Sequence, residues 1–359
     1  MINPSMNTLG RKKHRIVLWF VISQLLLVSC GEKQAKVQKI FGETQGTTYQ
    51  ITLVDCPNII QKEAIDALLH QFDLSLSGYI PNSTVSEFNA AQTKFRIPKN
   101  DLYFLPCFEL SAKIYEQTDG AFDPTVLPLM RLWGFLKDVS SLPSQQEIDS
   151  VKQFIGFEDF KLYDFVTDKK GISLVKKDPR VNFDFNAIAQ GYSVDVLAEY
   201  LTKKGCENFY IEIGGEIYVQ GKNPDGESWH LGVDKPVASN NGSAERVISA
   251  VIALDKGGIA TSGNYRKFYE KEGKIYAHTL NPKTGYPAEN ELLSATVIAK
   301  NTAIADGMAT AFMVMGLEKA QEYLISKDKD GLEVLFIYSG PKNSLKSFSS
   351  EGMKKRISE

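Results

Sequence analysis

The sequence predicts an α+β fold in which mixed or antiparallel sheets are flanked by helices, and it does not predict a Rossmann fold. Helical and strand-like runs are interspersed along the 359 residues without strict β-α-β alternation. Neither the GxGxxG fingerprint nor the Walker phosphate loop occurs. A hydrophobic fraction of 43% with 23% charged residues is typical of a folded globular protein. The net charge of -2, without a basic stripe, makes nucleic acid an unexpected partner.

The N-terminal segment predicts a lipoprotein signal peptide over residues 1–29. Basic residues between positions 11 and 15 precede an apolar run over residues 16–28, which is too short to span a membrane comfortably. The run ends in Leu27-Val28-Ser29-Cys30, which resembles the lipobox of bacterial lipoproteins, where the chain is cut before a cysteine that then carries lipid. Residues 30–40 are then a lipidated tether anchored through Cys30. An ordinary signal peptide or a short anchor helix is the alternative.

The spacing of apolar residues along the sequence predicts the main helices and strands. Apolar residues at helical spacing predict helices over residues 63–72, 101–117, 188–204 and 302–315. Runs rich in β-branched and aromatic residues predict strands over residues 209–219, 247–254 and 292–299. Turns are predicted at Gly257-Gly258 and at Pro282-Lys283-Thr284-Gly285.

Three cysteines follow Cys30, namely Cys56, Cys107 and Cys206, and no CxxC spacing occurs. Because their number is odd, we expect neither a disulfide framework nor a structural zinc site. We interpret them as small buried hydrophobic residues. A single bridge between Cys56 and Cys107 is the open alternative.

Four segments combine glycine, small residues and polar atoms, and they span residues 120–125, 184–192, 212–216 and 260–265. Glycine lets the main chain approach a ligand closely, and N–H groups at loop-to-helix junctions suit phosphates. Each segment taken alone is equally compatible with an ordinary turn.

Asp306 and Thr310 form a sharper pattern. They lie four residues apart in a helical run that is otherwise small or apolar, so they share one helix face. A carboxylate and a hydroxyl there offer two hard oxygens to Mg²⁺. The alternative is a buried aspartate bonded to backbone and a threonine bonded to the carbonyl one turn back.

His278 stands between a strand-like run and the turn at residues 281–285. A histidine there could act as a base near neutral pH, although a lone histidine can also be an ordinary surface or core residue.

Taken together, the motifs resemble those of the ApbE family, the FAD:protein FMN transferases, from about residue 41 to residue 316. The matching motifs, in family order, are Gly46-Thr47-Thr48-Tyr49, Ser77-Gly78-Tyr79, residues 120–125 with Leu132-Trp133-Gly134-Phe135, residues 184–195, residues 212–216, residues 260–265, His278 with Asn281-Pro282, and Asp306 with Ala309-Thr310-Ala311.

The resemblance implies an enzyme that binds FAD in a cleft with Mg²⁺ at the pyrophosphate. Such an enzyme transfers FMN to a threonine hydroxyl of a target protein, typically a subunit of a membrane redox complex or a periplasmic flavoprotein, and releases AMP. The domains implied are a flavin transferase domain over residues 41–345 and a polar C-terminal tail over residues 346–359. The implied location is the bacterial cell envelope, where the lipid-anchored enzyme faces the periplasm.

The resemblance also assigns roles to single residues. It implies that Tyr79 stacks on the isoalloxazine ring and that Asp123 lies near the adenosine half of FAD. The metal would be held by the main-chain oxygen of Ala187 and by the side chains of Asp306 and Thr310. His278 would be the catalytic proton-transfer group. Further FAD-binding positions are Gln45, Ala121, Phe122, Gln190, Thr261 and Ser262.

Two departures from the family pattern concern FAD binding. Gln45 stands where many members carry methionine, and Gln190 stands where many carry lysine. The second change removes a positive charge that could face phosphate. Two other functions stay open, a flavin-scavenging binding lipoprotein and an Mg²⁺-dependent FAD pyrophosphatase in which water replaces the threonine.

Overall fold

The computed structural model describes residue 1 and residues 34–136, 141–157, 162–236, 247–264, 268–271, 274–277, 279–328 and 330–358. The chain divides into two compact units, Met1–Ala35 and Lys36–Glu359. All the described elements belong to the second unit. Cys30 and the predicted signal peptide beyond Met1 lie outside the described residues, as does His278. No helix within the described ranges is long and apolar enough to cross a membrane.

The strands, in chain order, are β1 (Val37–Thr44), β2 (Thr47–Val54), β3 (Lys94–Arg96), β4 (Tyr163–Asp168), β5 (Gly171–Lys176), β6 (Asn208–Ile213), β7 (Glu216–Gln220), β8 (Trp229–Asp234), β9 (Ile248–Leu254), β10 (Lys256–Gly263), β11 (Phe268–Lys271), β12 (Lys274–Ala277), β13 (Leu292–Ala299), β14 (Glu333–Ser339), β15 (Leu345–Ser349) and β16 (Ile357–Ser358). The helices are α1 (Lys62–Leu76), α2 (Thr84–Ala90), α3 (Phe104–Gln117), α4 (Leu127–Leu132), α5 (Gln145–Lys152), α6 (Asn186–Lys203), α7 (Thr302–Met315), α8 (Leu317–Ser326) and α9 (Glu351–Arg356).

The main sheet has eight described strands in the order β1-β2-β6-β7-β10-β13-β14-β15. Every neighbouring pair in it is antiparallel. Two smaller sheets have the orders β16-β9-β8 and β3-β5-β4, and β11 pairs with β12. The α+β class with antiparallel sheets, predicted from the sequence, is confirmed.

Helix α7 is the central buried helix of the Lys36–Glu359 unit. All but two of its residues, Thr310 and Met315, are buried, which explains why its sequence is small and apolar on nearly every face. It packs against α6, β10 and β13 within the larger of the hydrophobic clusters. A second cluster lies where β1, β2 and β6 meet α1 and α6. Helix α6 therefore borders both clusters and faces α7.

Three sequence predictions need correction in this part of the molecule. The strand predicted over residues 209–219 is a hairpin, because Gly214 and Gly215 both have positive φ and turn the chain between β6 and β7. The predicted tether ends before residue 40, since β1 begins at Val37. The predicted polar tail over residues 346–359 belongs to the fold, because β15 extends the main sheet and Met353 of α9 is fully buried.

The interpretation of the cysteines is wrong for Cys56 and Cys206 and is confirmed for Cys107. Cys56 forms a disulfide with Cys206, whereas Cys107 is free and buried. The cause is strand register: Val54 of β2 pairs with Asn208 of β6, and the same antiparallel register continued beyond the strands sets residue 56 opposite residue 206. Cysteine spacing along the chain carries no such information.

Candidate functional site

Asp306 lies at the contact between α6 and α7. Its carboxylate is 6% exposed, and Oδ2 accepts a hydrogen bond from the backbone N–H of Gly191, 3.0 Å away. In a regular helix that N–H points to the carbonyl of Ala187, four residues earlier. The carbonyl of Ala187 and the carboxylate of Asp306 are therefore acceptors around the same N–H group, and this brings together two of the three predicted metal ligands.

Gly191 is required at this contact. A Cβ at that position would lie 2.5 Å from the carbonyl oxygen of Thr302 and 2.8 Å from Cβ of Asp306. Backbone atoms of α7 cannot give way cheaply, so only glycine lets the two helices approach this closely.

The third predicted ligand, Thr310, lies one turn further along α7. Its hydroxyl is 3.1 Å from the hydroxyl of Ser262, near the end of β10. A helix and a strand thus supply two neighbouring hydroxyl groups on the same side of the sheet as Asp306. Thr261 faces the other side, because successive residues of a strand alternate, and its hydroxyl contacts that of Thr296 at 2.8 Å.

A second carboxylate, Asp195, supports the beginning of α7. Its two oxygens accept hydrogen bonds from the N–H groups of Thr302 and Ala303, at 2.7 and 2.8 Å. Burial raises the pKa of Asp195 to about 6, and these hydrogen bonds act in the opposite direction. Asp195 is not among the site residues predicted from the sequence, although it ends the family motif over residues 184–195 and lies on the helix predicted over residues 188–204.

The charge balance around Asp306 favours a cation. Burial raises its pKa well above the ordinary value, the hydrogen bond from Gly191 opposes this, and the charge of Asp195 adds to it. No basic side chain in the described ranges forms an ion pair with Asp306. Burying a carboxylate without a counter-charge is costly, so a bound cation would stabilise its ionised form.

Gln45 forms the tip of the β1–β2 hairpin together with Gly46. Both residues have positive φ, 52° and 72°, as a two-residue hairpin turn requires. Positive φ is uncommon for a residue such as glutamine. The side-chain Nε2 of Gln45 is buried and lies near the carboxylate of Asp73, whose pKa burial raises and an interaction with the Gln45 side chain lowers.

Gln190 and Gln45 converge on one residue of α6. The hydroxyl of Ser193 donates to the carbonyl of Gln190 at 2.7 Å, and the same hydroxyl lies 3.5 Å from Oε1 of Gln45. The side chain of Gln190 lies against the β6–β7 turn, where a Cβ on Gly214 would meet its Nε2 at 2.5 Å. The two positions that depart from the family pattern are thus neighbours in space.

Tyr79 lies apart from this group, in an open cleft of about 360 Å³. Its side chain is 75% exposed, so a face of the ring is open to solvent. Other residues that line the cleft include Asn89, Arg131, Asn182, Asp184 and Asn186. Asp184 and Asn186 lead directly into α6, which carries Ala187. The cleft and the predicted metal ligands Ala187, Asp306 and Thr310 are therefore connected through the N-terminus of α6.

The segment over residues 121–123 is held between these two regions. The N–H of Asp184 donates to the carbonyl of Pro124 at 2.7 Å. Asp123 is buried, and its Oδ1 accepts from the N–H and the hydroxyl of Thr125, at 2.7 and 2.6 Å. Ala121 is half-buried, whereas the ring of Phe122 lies in the hydrophobic core. A contact between Phe122 and FAD would therefore involve its main chain.

No group of three or more His, Cys, Asp or Glu side chains in the described ranges is arranged to hold a metal ion. The predicted donor set is of a different kind, with one carboxylate, one hydroxyl and one main-chain carbonyl. Mg²⁺ commonly uses one or two carboxylates and completes its shell with water and substrate phosphates. The residues present therefore fit this ion.

The chain is similar in sequence and in fold to known flavin transferases. The chain is 35% identical over 325 residues to FAD:protein FMN transferase of Haemophilus influenzae, covering 88% of this chain and 90% of that protein. The structure of flavin transferase ApbE from Vibrio cholerae has a TM-score of 0.75 at 32% identity, covering 90% of this chain and 99% of that one. Flavinyl transferase ApbE from Pseudomonas stutzeri, in its apo form, also has a TM-score of 0.75, at 31% identity and with 91% and 98% covered.

The fold and these relatives define the chain as a transferase. A model of the ApbE family matches residues 45–336. The chain belongs to the ApbE family, which confirms the family predicted from its motifs.

Proposed function

We propose that this enzyme transfers FMN from FAD to a threonine hydroxyl of an acceptor protein, with Mg²⁺ required and AMP released. The threonine oxygen forms a bond to the FMN phosphorus, the bond from that phosphorus to the AMP phosphate breaks, and the hydroxyl proton passes to a base. The observation that carries the proposal is the buried carboxylate of Asp306, whose Oδ2 accepts a hydrogen bond from the N–H of Gly191, the residue one helical turn after Ala187.

The residues that would hold the metal are Ala187, Asp306 and Thr310. Mg²⁺ at this position would neutralise the phosphate oxygens and ease departure of AMP. The chain's own contribution is rigidity. Asp195 fixes the start of α7, Gly191 allows α6 to lie against it, and the hydroxyl of Ser262 supports that of Thr310. Such positioning accounts for much of the catalysis in phosphoryl transfer.

FAD binding is assigned to the cleft and to the hairpin tip. The exposed ring of Tyr79 offers a stacking surface, and the side chain of Gln45 at the hairpin tip offers a hydrogen-bond donor. Ala121 and Asp123 precede Pro124, whose carbonyl is bonded to the segment that leads into α6. Gln190 and Ser262 complete the proposed set, together with Thr261, which would contribute main-chain atoms because its side chain faces the other side of the sheet.

His278 is the proposed base for the threonine proton. The turn that follows it is anchored, since Nε1 of Trp133 donates to the carbonyl of Gly285 at 2.7 Å and the N–H of Gly285 donates to the carbonyl of Asn281 at 2.8 Å. A general base contributes about 10²–10⁴-fold to the rate.

The proposed location is the bacterial cell envelope, with lipid on Cys30 as the anchor and the enzyme facing the periplasm. The disulfide between Cys56 and Cys206 supports an oxidising compartment. Expression of a Cys30→Ser variant tests the anchor: the variant should leave the membrane fraction and carry no lipid. A variant that stays in the membrane fraction without lipid would show that the apolar run is the anchor.

Transfer itself is tested with the soluble chain from Gly31. Incubation with FAD, Mg²⁺ and a flavoprotein subunit that contains an acceptor threonine should give a fluorescent band on a denaturing gel. The two alternatives give other results. A binding lipoprotein leaves FAD intact, and a pyrophosphatase releases FMN and AMP without labelling the acceptor.

A further inference from the structure

Arg131 differs from the other arginines in the described ranges. Arg96, Arg180 and Arg356 each form an ion pair with a carboxylate. Arg131 forms none with a described residue, and its Nη1 donates instead to the neutral Oδ1 of Asn182, 2.7 Å away. It is also the cationic side chain among the residues that line the Tyr79 cleft.

The support of Arg131 is rigid. Asn182 is 4% exposed, and its Nδ2 donates to the carbonyl of Arg180 at 3.1 Å. The next residue, Phe183, exchanges two hydrogen bonds of 2.8 Å with the side chain of Asn89. One arm of the guanidinium is thus held by a fixed buried amide, and its remaining N–H groups have no acceptor among the described residues.

A second cation, Lys176, lies behind the cleft residue Asn89. It is 5% exposed, and its Nζ donates to the carbonyls of Asn89 and Pro179, at 3.0 and 3.4 Å. Burial lowers the pKa of Lys176 to about 8, the charge of Arg131 lowers it further, and Asp178 opposes both. Asp178 is itself paired with Arg180.

The carboxylate in the cleft, Asp184, does not neutralise Arg131 directly. It accepts a hydrogen bond from the N–H of Asn186 at 2.7 Å and is not bonded to the guanidinium, although the charge of Arg131 partly offsets the rise in its pKa that burial causes. Two cations close together, with no carboxylate bonded to either, create a positive potential that favours an anion. A guanidinium fork matches the oxygens of phosphate and carboxylate groups.

We propose that Arg131, backed by Lys176, forms an anion subsite that binds a phosphate or carboxylate group of a substrate. The assignment of the cleft to substrate rests on the proposed function. Two sources share this chemistry, namely a phosphate of FAD and a carboxylate near the acceptor threonine. The subsite supplies a fixed positive charge in a chain that carries Gln190 where the family commonly has lysine.

The test compares the wild type with Arg131→Gln and Arg131→Lys. Arg96→Gln is the matched control, because Arg96 is paired with Asp168 on β4 and does not line the cleft. Circular dichroism checks that each variant is folded. Binding of FAD and of inorganic pyrophosphate is measured by calorimetry at two salt concentrations, and transfer is measured against acceptor concentration.

A phosphate partner predicts that Arg131→Gln weakens FAD and pyrophosphate binding about 10- to 100-fold, as expected for a lost charge-assisted pair, and reduces its salt dependence. Arg131→Lys should keep part of the affinity. A carboxylate partner predicts unchanged FAD binding and a raised acceptor concentration at half-maximal rate. The subsite is refuted if Arg131→Gln changes neither the affinity for FAD and pyrophosphate nor the acceptor concentration at half-maximal rate. It is also refuted if Arg96→Gln changes them as much as Arg131→Gln does. Failure of the wild type to bind FAD would count against the proposed function, and the pyrophosphate titration would still test Arg131.

Discussion

The carboxylate of Asp306 and the backbone N–H of Gly191 are joined by a 3.0 Å hydrogen bond that links α7 to α6. It engages the N–H that normally closes the helical turn beginning at the Ala187 carbonyl. One contact therefore determines the spacing of two helices and gathers oxygen atoms from both. The first prediction concerns this spacing.

Gly191→Ala should destabilise the protein by about 1–3 kcal/mol, the usual range for overpacking a core. The added Cβ meets the carbonyl oxygen of Thr302 at 2.5 Å, so α6 and α7 must separate. Urea unfolding measures the loss. Gly307→Ala, on the facing helix α7, is the matched control, and it should cost less because its Cβ meets the flexible Cδ1 of Ile114. Equal losses for the two variants would show that the helix contact is not unusually tight at Gly191.

Tyr79→Ala should weaken FAD binding by about 1–3 kcal/mol, the scale of aromatic stacking on nucleic-acid bases. Tyr79→Phe and Tyr79→Trp should bind nearly as well as the wild type, because stacking needs a planar face and not the hydroxyl. The ring is 75% exposed, so its loss should leave stability almost unchanged. Calorimetric titration with FAD decides the matter, and equal affinity for all four proteins would remove the stacking role.

The Cys56–Cys206 disulfide should stabilise the fold by about 2–5 kcal/mol, because it closes a long loop in the unfolded chain. A Cys56→Ser, Cys206→Ser double variant should lose that amount in urea unfolding. A thiol assay on the soluble chain from Gly31, denatured without reductant, should find one free thiol, from Cys107. Three free thiols would show that the bridge does not form.

Asp330 should make stability depend on pH in the acid range. Burial alone would raise its pKa, but hydrogen bonds from Gln117, Lys113 and Lys300 outweigh burial and lower the pKa to about 2. Since the folded-state pKa lies below the unfolded one, the stabilisation is present above pH 4 and is lost as the pH falls towards 2. It amounts to about 2 kcal/mol. Unfolding of Asp330→Asn at several pH values should lack this loss, and parallel curves for the two proteins would contradict it.

Much of the fold follows from local pattern. Helix α7 and strand β13 have the bounds that periodicity predicts, because each is a long run of small and apolar residues without proline, which leaves few alternatives. The β6–β7 hairpin was missed because alternation continues across Gly214-Gly215. The disulfide depends on the pairing of β2 with β6, which joins residues about 150 positions apart and has no local signal.

The site is predictable to a smaller extent. The i,i+4 spacing indicated that Asp306 and Thr310 share a face, but the role of Gly191 depends on how closely α6 approaches α7. Thr261 and Ser262 are adjacent in sequence and yet face opposite sides of β10. Arg131 carried no motif signal. Arg131 differs from the other described arginines in having no carboxylate partner, and this is known only from its contacts in the folded structure.

The most direct test measures the mass of an acceptor protein that has been incubated with FAD and the soluble chain. The chain is first freed of metal, Mg²⁺ is then added in steps, and the wild type is compared with Asp306→Asn. Asn keeps the shape of the side chain and removes a buried charge, so the variant should stay folded. The wild type should add one FMN to the acceptor threonine only when Mg²⁺ is present, and Asp306→Asn should add none at any Mg²⁺ concentration. Labelling by Asp306→Asn at the wild-type rate in limiting Mg²⁺, or labelling by the wild type without the metal, would contradict the proposed site.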